Sequence, residues 1–435
     1  MLDQIWTSLT GSSGRPASVR IEGSGRSPSV FAASDLAAAS VAVAGLAWAK
    51  HVGADSVTVD RRLASFWFFV SIRSQGWNLP PAWDPIAGDY LAKDRWIRLH
   101  TNAPNHRKAA VEVLGSAGDK AELADAVRRW EADSLETAII ENGGCAAAMR
   151  GVGEWQTHPQ GESVAAEPLF RIERMGTRSP RLLEGTRVLD LTRVLAGPVA
   201  TRFLAGCGCD VIRIDPPSWN EPSLEPEVTL GKRCARLDLR VREDRETFER
   251  LLEEADVLVH GYRPEALDRL GYSGTNLHSL RPGLVEVTLD AYGWTGPWAL
   301  RRGFDSLVQM STGIAQAGMD RTCAERPTPL PFQALDQAAG YWMASAALHG
   351  LTQPTGSRTR VSLARVAEFL IAEGFREPSE PFAPETAADL SADVENTSWG
   401  AAKRLRSPVL VDGTPLEWPS PPVPLGSTPK DALAW

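Results

Sequence analysis

A concentrated basic surface is missing from this chain. Its 46 Lys and Arg residues are outnumbered by 54 Asp and Glu, for a net charge of −8. Phosphate-backbone binding needs a positive face, so a nucleic-acid partner is not expected. An acidic average still permits one local basic pocket for a phosphorylated ligand. Cysteine is also scarce. The five residues, Cys145, Cys207, Cys209, Cys234 and Cys323, are odd in number, and no second Cys/His pair accompanies Cys207 and Cys209 at zinc-ligand spacing. Free thiols in a reducing compartment are expected, and no metal. Long apolar runs are absent. The longest, residues 36–49, is too short and too Ala-rich to span a bilayer and reads as a buried helix. The opening MLDQIWTSLTGSSGRP has neither a basic n-region nor an apolar h-region, so it does not read as a signal peptide. The expected location is the cytoplasm, with no membrane partner. At 435 residues and 43 % apolar composition, the chain has enough material for two or three domains.

Residues 186–290 carry the strongest structural pattern. Short apolar runs, TRVLDL (186–191), DVIRID (210–215), DVLVHG (256–261) and LVEVTLD (284–290), alternate with helical spacing at 197–207 and 246–254. Such alternation predicts βαβ units, a parallel sheet and ligands at the carboxyl ends of the strands. The first strand lacks G-x-G-x-x-G. Thr192-Arg193-Val194-Leu195-Ala196-Gly197-Pro198 follows instead, and a single glycine before proline cannot cradle a pyrophosphate, which argues against NAD or FAD. Pro198 suits the first turn of a helix, whose N-terminus is a candidate site for an anion or a carbonyl oxygen.

A weak repeat relates residues 34–69 to 335–370. Each has an Asp opening a small-residue helix, then a polar turn with Gly, a short strand and a second helix. Residues 84–165 form a further unit, with a strand at 94–99 and a largely helical stretch at 104–136. RIERMGTRSP (171–180) reads as a linker. After about residue 373 the chain is rich in Pro, Glu and Ala and partly irregular, with a strand possible at 407–411.

The segment LLEGTRVLDLTRVLAGPVATRFLAGCGCDVIRID (182–215) resembles the opening of the family III CoA-transferases (the CaiB/BaiF family), which include formyl-CoA and carnitine CoA-transferases and the related α-methylacyl-CoA racemase. The resemblance continues through GKRCARLDLR (231–240), ADVLVHGYRPEALDRLGY (255–272), residues 281–313 and ALDQAAGYWMASAALHGL (334–351). GDYLAKDRWIRLHTN (88–102) and the stretch to GVGEWQTHPQG (151–161) resemble the small domain of that family, which ordinarily follows the catalytic Asp but here precedes the Rossmann-like part. The tail 406–426 resembles the usual C-terminus. The order fits a permuted member or a tandem copy that has lost its first Rossmann-like half. The expected fold is α/β: a Rossmann-like parallel sheet with flanking helices, plus a smaller α+β domain. The expected divisions are 1–83 (partial repeat of the Asp-helix unit), 84–175 (small domain), 180–372 (Rossmann-like CoA-binding domain with the Asp) and 373–435 (a tail returning to the large domain).

The resemblance implies transfer of CoA between an acyl-CoA thioester and a carboxylic acid, through an aspartyl anhydride and thioester, with no cofactor beyond the CoA thioester substrate. The acyl-accepting carboxylate falls on Asp336. Read as the N-cap of its helix, Asp336 would have its ionised, attacking form favoured by the helix dipole. Asp35, in the same local setting, reads as a relic or a structural cap. CoA contacts implied by position fall on Arg193, Val194, Leu195, Ala196, Leu237, Arg240, Gly261, Tyr262, Arg269 and Leu270. Arg240 and Arg269 would meet phosphates and Tyr262 the adenine. Formyl-CoA transferase-like members carry Gln where Leu195 stands, so backbone N–H groups would have to hold an oxyanion here. The Gly-rich loop of those members has no counterpart. These departures keep open a catalytically impaired CoA-binding subunit paired with a homologue. An acyl-CoA racemase is disfavoured, because Phe304 stands where such relatives carry the proton-transferring His, and His260 reads as structural. Ordinary members are interlocked dimers; here a homodimer, pairing with a homologue, or closure within one chain are all open.

Overall fold

The computed structural model describes residues 1–116, 119–181, 183–262, 264–377 and 380–435. Leu182 and Arg263, which lie within the matched stretches at 182–215 and 255–272, and residues 117 and 118 of the expected helical region, fall outside it. The expected α/β architecture is present. A seven-stranded sheet runs in the spatial order Arg233–Arg236, Asp210–Asp215, Arg187–Leu191, Val257–His260, Val285–Asp290, Thr355–Ser362, Arg171–Thr177. All neighbours are parallel except the last pair. The inner strands are largely buried, as cover on both faces requires: every residue of Val257–His260 is buried.

The chain passes outward in opposite directions from Arg187–Leu191 and Val257–His260, which pair side by side with Val257 opposite Val188. A crevice opens at such a switch point, beyond the carboxyl ends of the strands. Here those ends lead into the Thr192–Gly197 turn and into Gly261 and Tyr262. The expected linker is not one. Arg171–Thr177 is the antiparallel edge strand of this sheet, with Thr359 opposite Ile172.

The repeat is structural. Helix Ala33–Val52 joins strand Ser56–Asp60 to Ser18–Glu22 in parallel, as helix Ala334–Leu351 joins Thr355–Ser362 to Val285–Asp290. Both helices begin the same way: the Ala33 N–H donates to the Phe31 carbonyl and the Ala334 N–H to that of Phe332. The two helices pack on each other, and Trp342 Nε1 donates to Ser40 Oγ at 3.0 Å. Each repeat strand then receives an antiparallel partner from far along the chain. Ser56–Asp60 takes Val409–Val411, and Thr355–Ser362 takes Arg171–Thr177. The halves are thus interleaved.

The small unit has its own antiparallel sheet, Gly88–Leu91, Trp96–Leu99 and Ala146–Ala148. Helices Pro104–Leu114, Lys120–Val127 and Ala132–Glu141 cover it around a core of Ile97, Leu99, Leu123, Leu135 and Ile139. Among the described residues, no helix is long and apolar enough to cross a membrane.

Candidate functional site

Asp190, the next-to-last residue of strand Arg187–Leu191, has no exposed surface, and its carboxylate organises the turn that follows. Oδ1 accepts from the Thr192 N–H (2.8 Å) and hydroxyl, while Oδ2 accepts from Thr201 Oγ1 and from Lys232 Nζ at 3.0 Å. A buried carboxylate survives only when its lone pairs are filled this way. Four residues after Asp190, Val194 has φ +66°, a left-handed conformation that a β-branched residue resists. Its N–H donates to Glu221 Oε2 at 2.8 Å, and Arg213 holds the other oxygen of that carboxylate. Gly197 must lack a side chain, because a Cβ there would stand 2.3 Å from Thr192. Helix Ala196–Gly206 starts from this turn, with Pro198 in its first turn.

Helix Ala334–Leu351 crosses closely over that helix: a Cβ on Gly340 would lie 2.5 Å from the Ala196 carbonyl oxygen. The contact brings Asp336 to the turn. Around them lies a cavity of about 440 Å³, lined by residues 191–197, Trp219, Gly261, Tyr262, residues 289–291, Asp336, residues 301–304 and, from the small unit, Ala103, Asn105 and His106.

Asp336 is not the N-cap. The helix begins at Ala334, and Asp336 is its third residue. The cap comes from Asp305, whose Oδ2 accepts the N–H groups of Leu335 (2.8 Å) and Asp336 (2.9 Å) and whose Oδ1 accepts from Gln309. The expected preference for ionised Asp336 is therefore reversed. Burial, and then the neighbouring Asp305 charge, push the Asp336 carboxyl well above the usual range. Asp305 itself is raised to about 6 by burial, against the pull of its N–H donors. Asp305 has those donors, while the Asp336 carboxyl has no hydrogen-bond or ion-pair partner among the described residues, so the proton shared by the pair rests on Asp336.

Asp35, at the matching third position of the first repeat helix, is set differently. It pairs with Arg61 and lies 3.7 Å from Arg26 and 4.0 Å from Arg376. Three guanidiniums surround the carboxylate, which suits a structural role.

Of the positions singled out from sequence, Arg193, Val194, Leu195, Ala196, Gly261, Tyr262 and Asp336 come together around the cavity. The Arg193 guanidinium donates to Tyr262 Oη at 2.6 Å and lies 5.1 Å from the Trp219 ring centroid. Leu237, Arg240, Arg269 and Leu270 are not in the lining. Leu237 is core. Arg240 pairs with Asp238 (2.7 Å) and Arg269 with Glu265 (2.7 Å), both largely exposed. Leu195 is 8 % exposed and starts the helix with no side-chain donor. Phe304 stacks on His100 with ring centroids 3.7 Å apart. His260 shares Glu286 with His278 and Arg358, at 3.0, 3.0 and 2.9 Å, as a structural histidine does.

The sequence reading missed Asp305, Glu221, His106 and Arg302. Asp305 directly follows Phe304 in the chain, and nothing in the local sequence marks it as a cap for a helix 29 residues further on. His106 is buried, and burial followed by the Arg302 charge lowers its pKa to about 4, so it stands neutral in the cavity wall. Among the described residues, no group of three or more His, Cys, Asp or Glu is placed to hold a metal ion.

Residues 183–377 match the family model for CoA-transferase family III. The chain is 33 % identical over 192 residues to a probable fatty acyl-CoA transferase of Mycobacterium tuberculosis, covering 41 % of this chain and 48 % of the relative. It is 32 % identical over 223 residues to a succinyl-CoA–D-citramalate CoA-transferase of Chloroflexus aurantiacus, covering 48 % and 54 %. The chain thus spans about half the length of these curated relatives. A crystal structure of an M. tuberculosis protein aligns at 31 % identity with a TM-score of 0.40, over 45 % of this chain and 57 % of the other. The family match and these relatives make residues 183–377 of this chain similar to CoA-transferase family III.

Proposed function

We propose that this chain transfers coenzyme A between an acyl-CoA thioester and a carboxylic acid, with Asp336 as the acyl-accepting group. One observation carries the reading: the Asp336 carboxyl has no partner among the described residues and lines the cavity at the switch point of the sheet. Ionised Asp336 attacks the thioester carbonyl, the C–S bond breaks, and CoA leaves as thiolate from a mixed anhydride. The thiolate attacks the aspartyl carbonyl, releases the donor acid as carboxylate and leaves an aspartyl-CoA thioester. The acceptor carboxylate then repeats the sequence in reverse. Backbone N–H groups of the 192–197 turn, other than those of Thr192 and Val194 that already donate to Asp190 and Glu221, are the candidate donors for each oxyanion, since the Leu195 side chain offers none. Arg193, beside Trp219 and Tyr262, supplies a cation and aromatic faces for the nucleotide end of CoA. Proton exchange of the racemase type is not favoured, because Phe304 has no proton to move.

The test is incubation with a series of acyl-CoA donors, hydroxylamine trapping and peptide mass spectrometry. An adduct on Asp336, absent from Asp336→Asn, is the expected result. CoA binding with no adduct across the donors would replace this reading by a CoA-binding subunit without transfer activity.

A further inference from the structure

A second cavity, of about 870 Å³, lies between the ends of the two repeat helices and shares no lining residue with the one around Asp336. Its floor is a sheet face. Side chains alternate across a strand, so Ile172 and Arg174 of the edge strand stand on the same face as Thr359 and Ser357 of its neighbour, with Arg174 directly opposite Ser357 and Ile172 opposite Thr359. One wall is the end of helix Ala334–Leu351. A Cβ added to Gly350 there would lie 3.1 Å from Ser357 Oγ, so this wall meets the floor. Another wall is the segment from Trp6 to Pro16, closed on itself by Trp6 Nε1 donating to the Gly14 carbonyl at 2.8 Å. Lys50, in the last turn of helix Ala33–Val52, bridges the two repeats by donating to Thr352 Oγ1 at 3.2 Å.

The chain is acidic, but this lining is not. It holds Arg15, Lys50, Arg171 and Arg174 and, among the described residues, no Asp or Glu. Two of these cations have carboxylates nearby: Arg15 pairs with Asp3, and Arg171 lies 3.6 Å from Glu173. Lys50 and Arg174 have no carboxylate partner among the described residues. Two polar atoms of the lining residues are also unmatched. Ser357 is 5 % exposed, and its Oγ is buried without a hydrogen-bond partner among the described residues; so is His349 Nδ1. Burial, followed by the Lys50 charge, lowers the His349 pKa to about 4, so its ring is neutral near pH 7 and leaves the cationic work to Lys50 and Arg174. Trp6 and Phe170 add buried apolar surface to the same lining. Buried polar groups ordinarily find partners, and unopposed cations in a recess attract an anion. The volume is that of a small-molecule pocket, far more than a bare phosphate ion fills.

We infer that this cavity is a second ligand site, which takes an organic phosphate whose charge is met by Lys50 and Arg174 and whose carbon skeleton lies against Trp6 and Phe170. Binding here does not depend on the proposed exchange at Asp336.

The experiment is calorimetric titration of the full chain with ATP, glucose 6-phosphate and glycerol 3-phosphate, and with inorganic phosphate as the bare anion. Arg193→Met is titrated beside the parent, to weaken nucleotide binding at the Asp336 cavity. At least one organic phosphate is expected to bind about 10-fold or more tightly than inorganic phosphate, in the parent and in Arg193→Met alike. The double variant Lys50→Met with Arg174→Met is expected to lose about 10- to 100-fold in that affinity, as removal of charge-assisted hydrogen bonds implies. Arg174→Lys should lose less than Arg174→Met, and an unchanged melting temperature shows that the variants fold. The bound ligand is expected to slow hydrogen exchange in residues 6–16 and 168–174. The inference is overturned by absence of saturable binding of all three probes, by equal affinity for inorganic phosphate, or by loss of binding in Arg193→Met. It is equally overturned by affinity that persists in the double variant, or by protection confined to residues 191–197.

Discussion

At the residue scale, two carboxyls compete for one charge. Asp305 fills its lone pairs with N–H donors, and Asp336 fills none from the described residues, so Asp336 must lose its proton before it can attack. The rate kcat/KM for an acyl-CoA should therefore rise with pH. Asp305→Asn keeps a carbonyl for the Leu335 and Asp336 N–H groups but removes the neighbouring charge. The acid limb of its pH–rate profile should move to lower pH, which steady-state kinetics would show; an unmoved limb would remove Asp305 from the account. Stability follows the same sign. Carboxyls raised in the folded state stabilise it fully below their ordinary values, near pH 4, and that share is lost as pH rises through the folded values, about 6 for Asp305. Asp336→Asn should thus gain melting temperature over the parent as pH goes from 4 to 8. Gln337 carries a second residue-scale cost. Both of its amide atoms are buried without a partner among the described residues, while Leu36 stands at the equivalent place in the first repeat helix. Gln337→Leu should stabilise the fold by about 1–3 kcal/mol in urea unfolding, the cost of an unsatisfied buried polar group.

At the scale of elements, the site depends on how closely two helices approach. Gly340 admits the Ala196 carbonyl and Val199, whose Cβ would be 2.9 Å from an added Cβ. Gly340→Val should cost about 1–3 kcal/mol by overpacking. It should also weaken CoA binding, because the 192–197 turn moves with the displaced helix; unfolding curves and CoA titration check the two effects. The helices were legible in the sequence because small residues recur along them. The cap was not: it comes from Asp305, 31 residues before Asp336, and no local pattern announces such a partner. For the same reason Arg171–Thr177 read as a linker. A charged, largely exposed edge strand lacks the apolar run that marks an inner one.

At the scale of the molecule, interleaving makes the halves mutually dependent. Nearly every side chain of helix Ala334–Leu351 is buried, partly against helix Ala33–Val52, and strand Arg171–Thr177 reaches the main sheet only after the small unit has been traversed. A fragment starting at residue 169 would expose one face of that helix and should show no cooperative urea transition. A sharp transition would mean that the first repeat is dispensable.

Composition, strand–helix alternation and the ordered motifs by themselves determined the α/β fold class, the likeness of residues 183–377 to CoA-transferase family III and the repeat, since all of these are written in local period and order. Only the tertiary structure decided which candidates share a cavity, that Asp336 is capped by Asp305 and leans toward its protonated form, and that Asp35 is neutralised by arginines. Those outcomes depend on burial and on distances between groups far apart in the chain, and an unfolded sequence possesses neither.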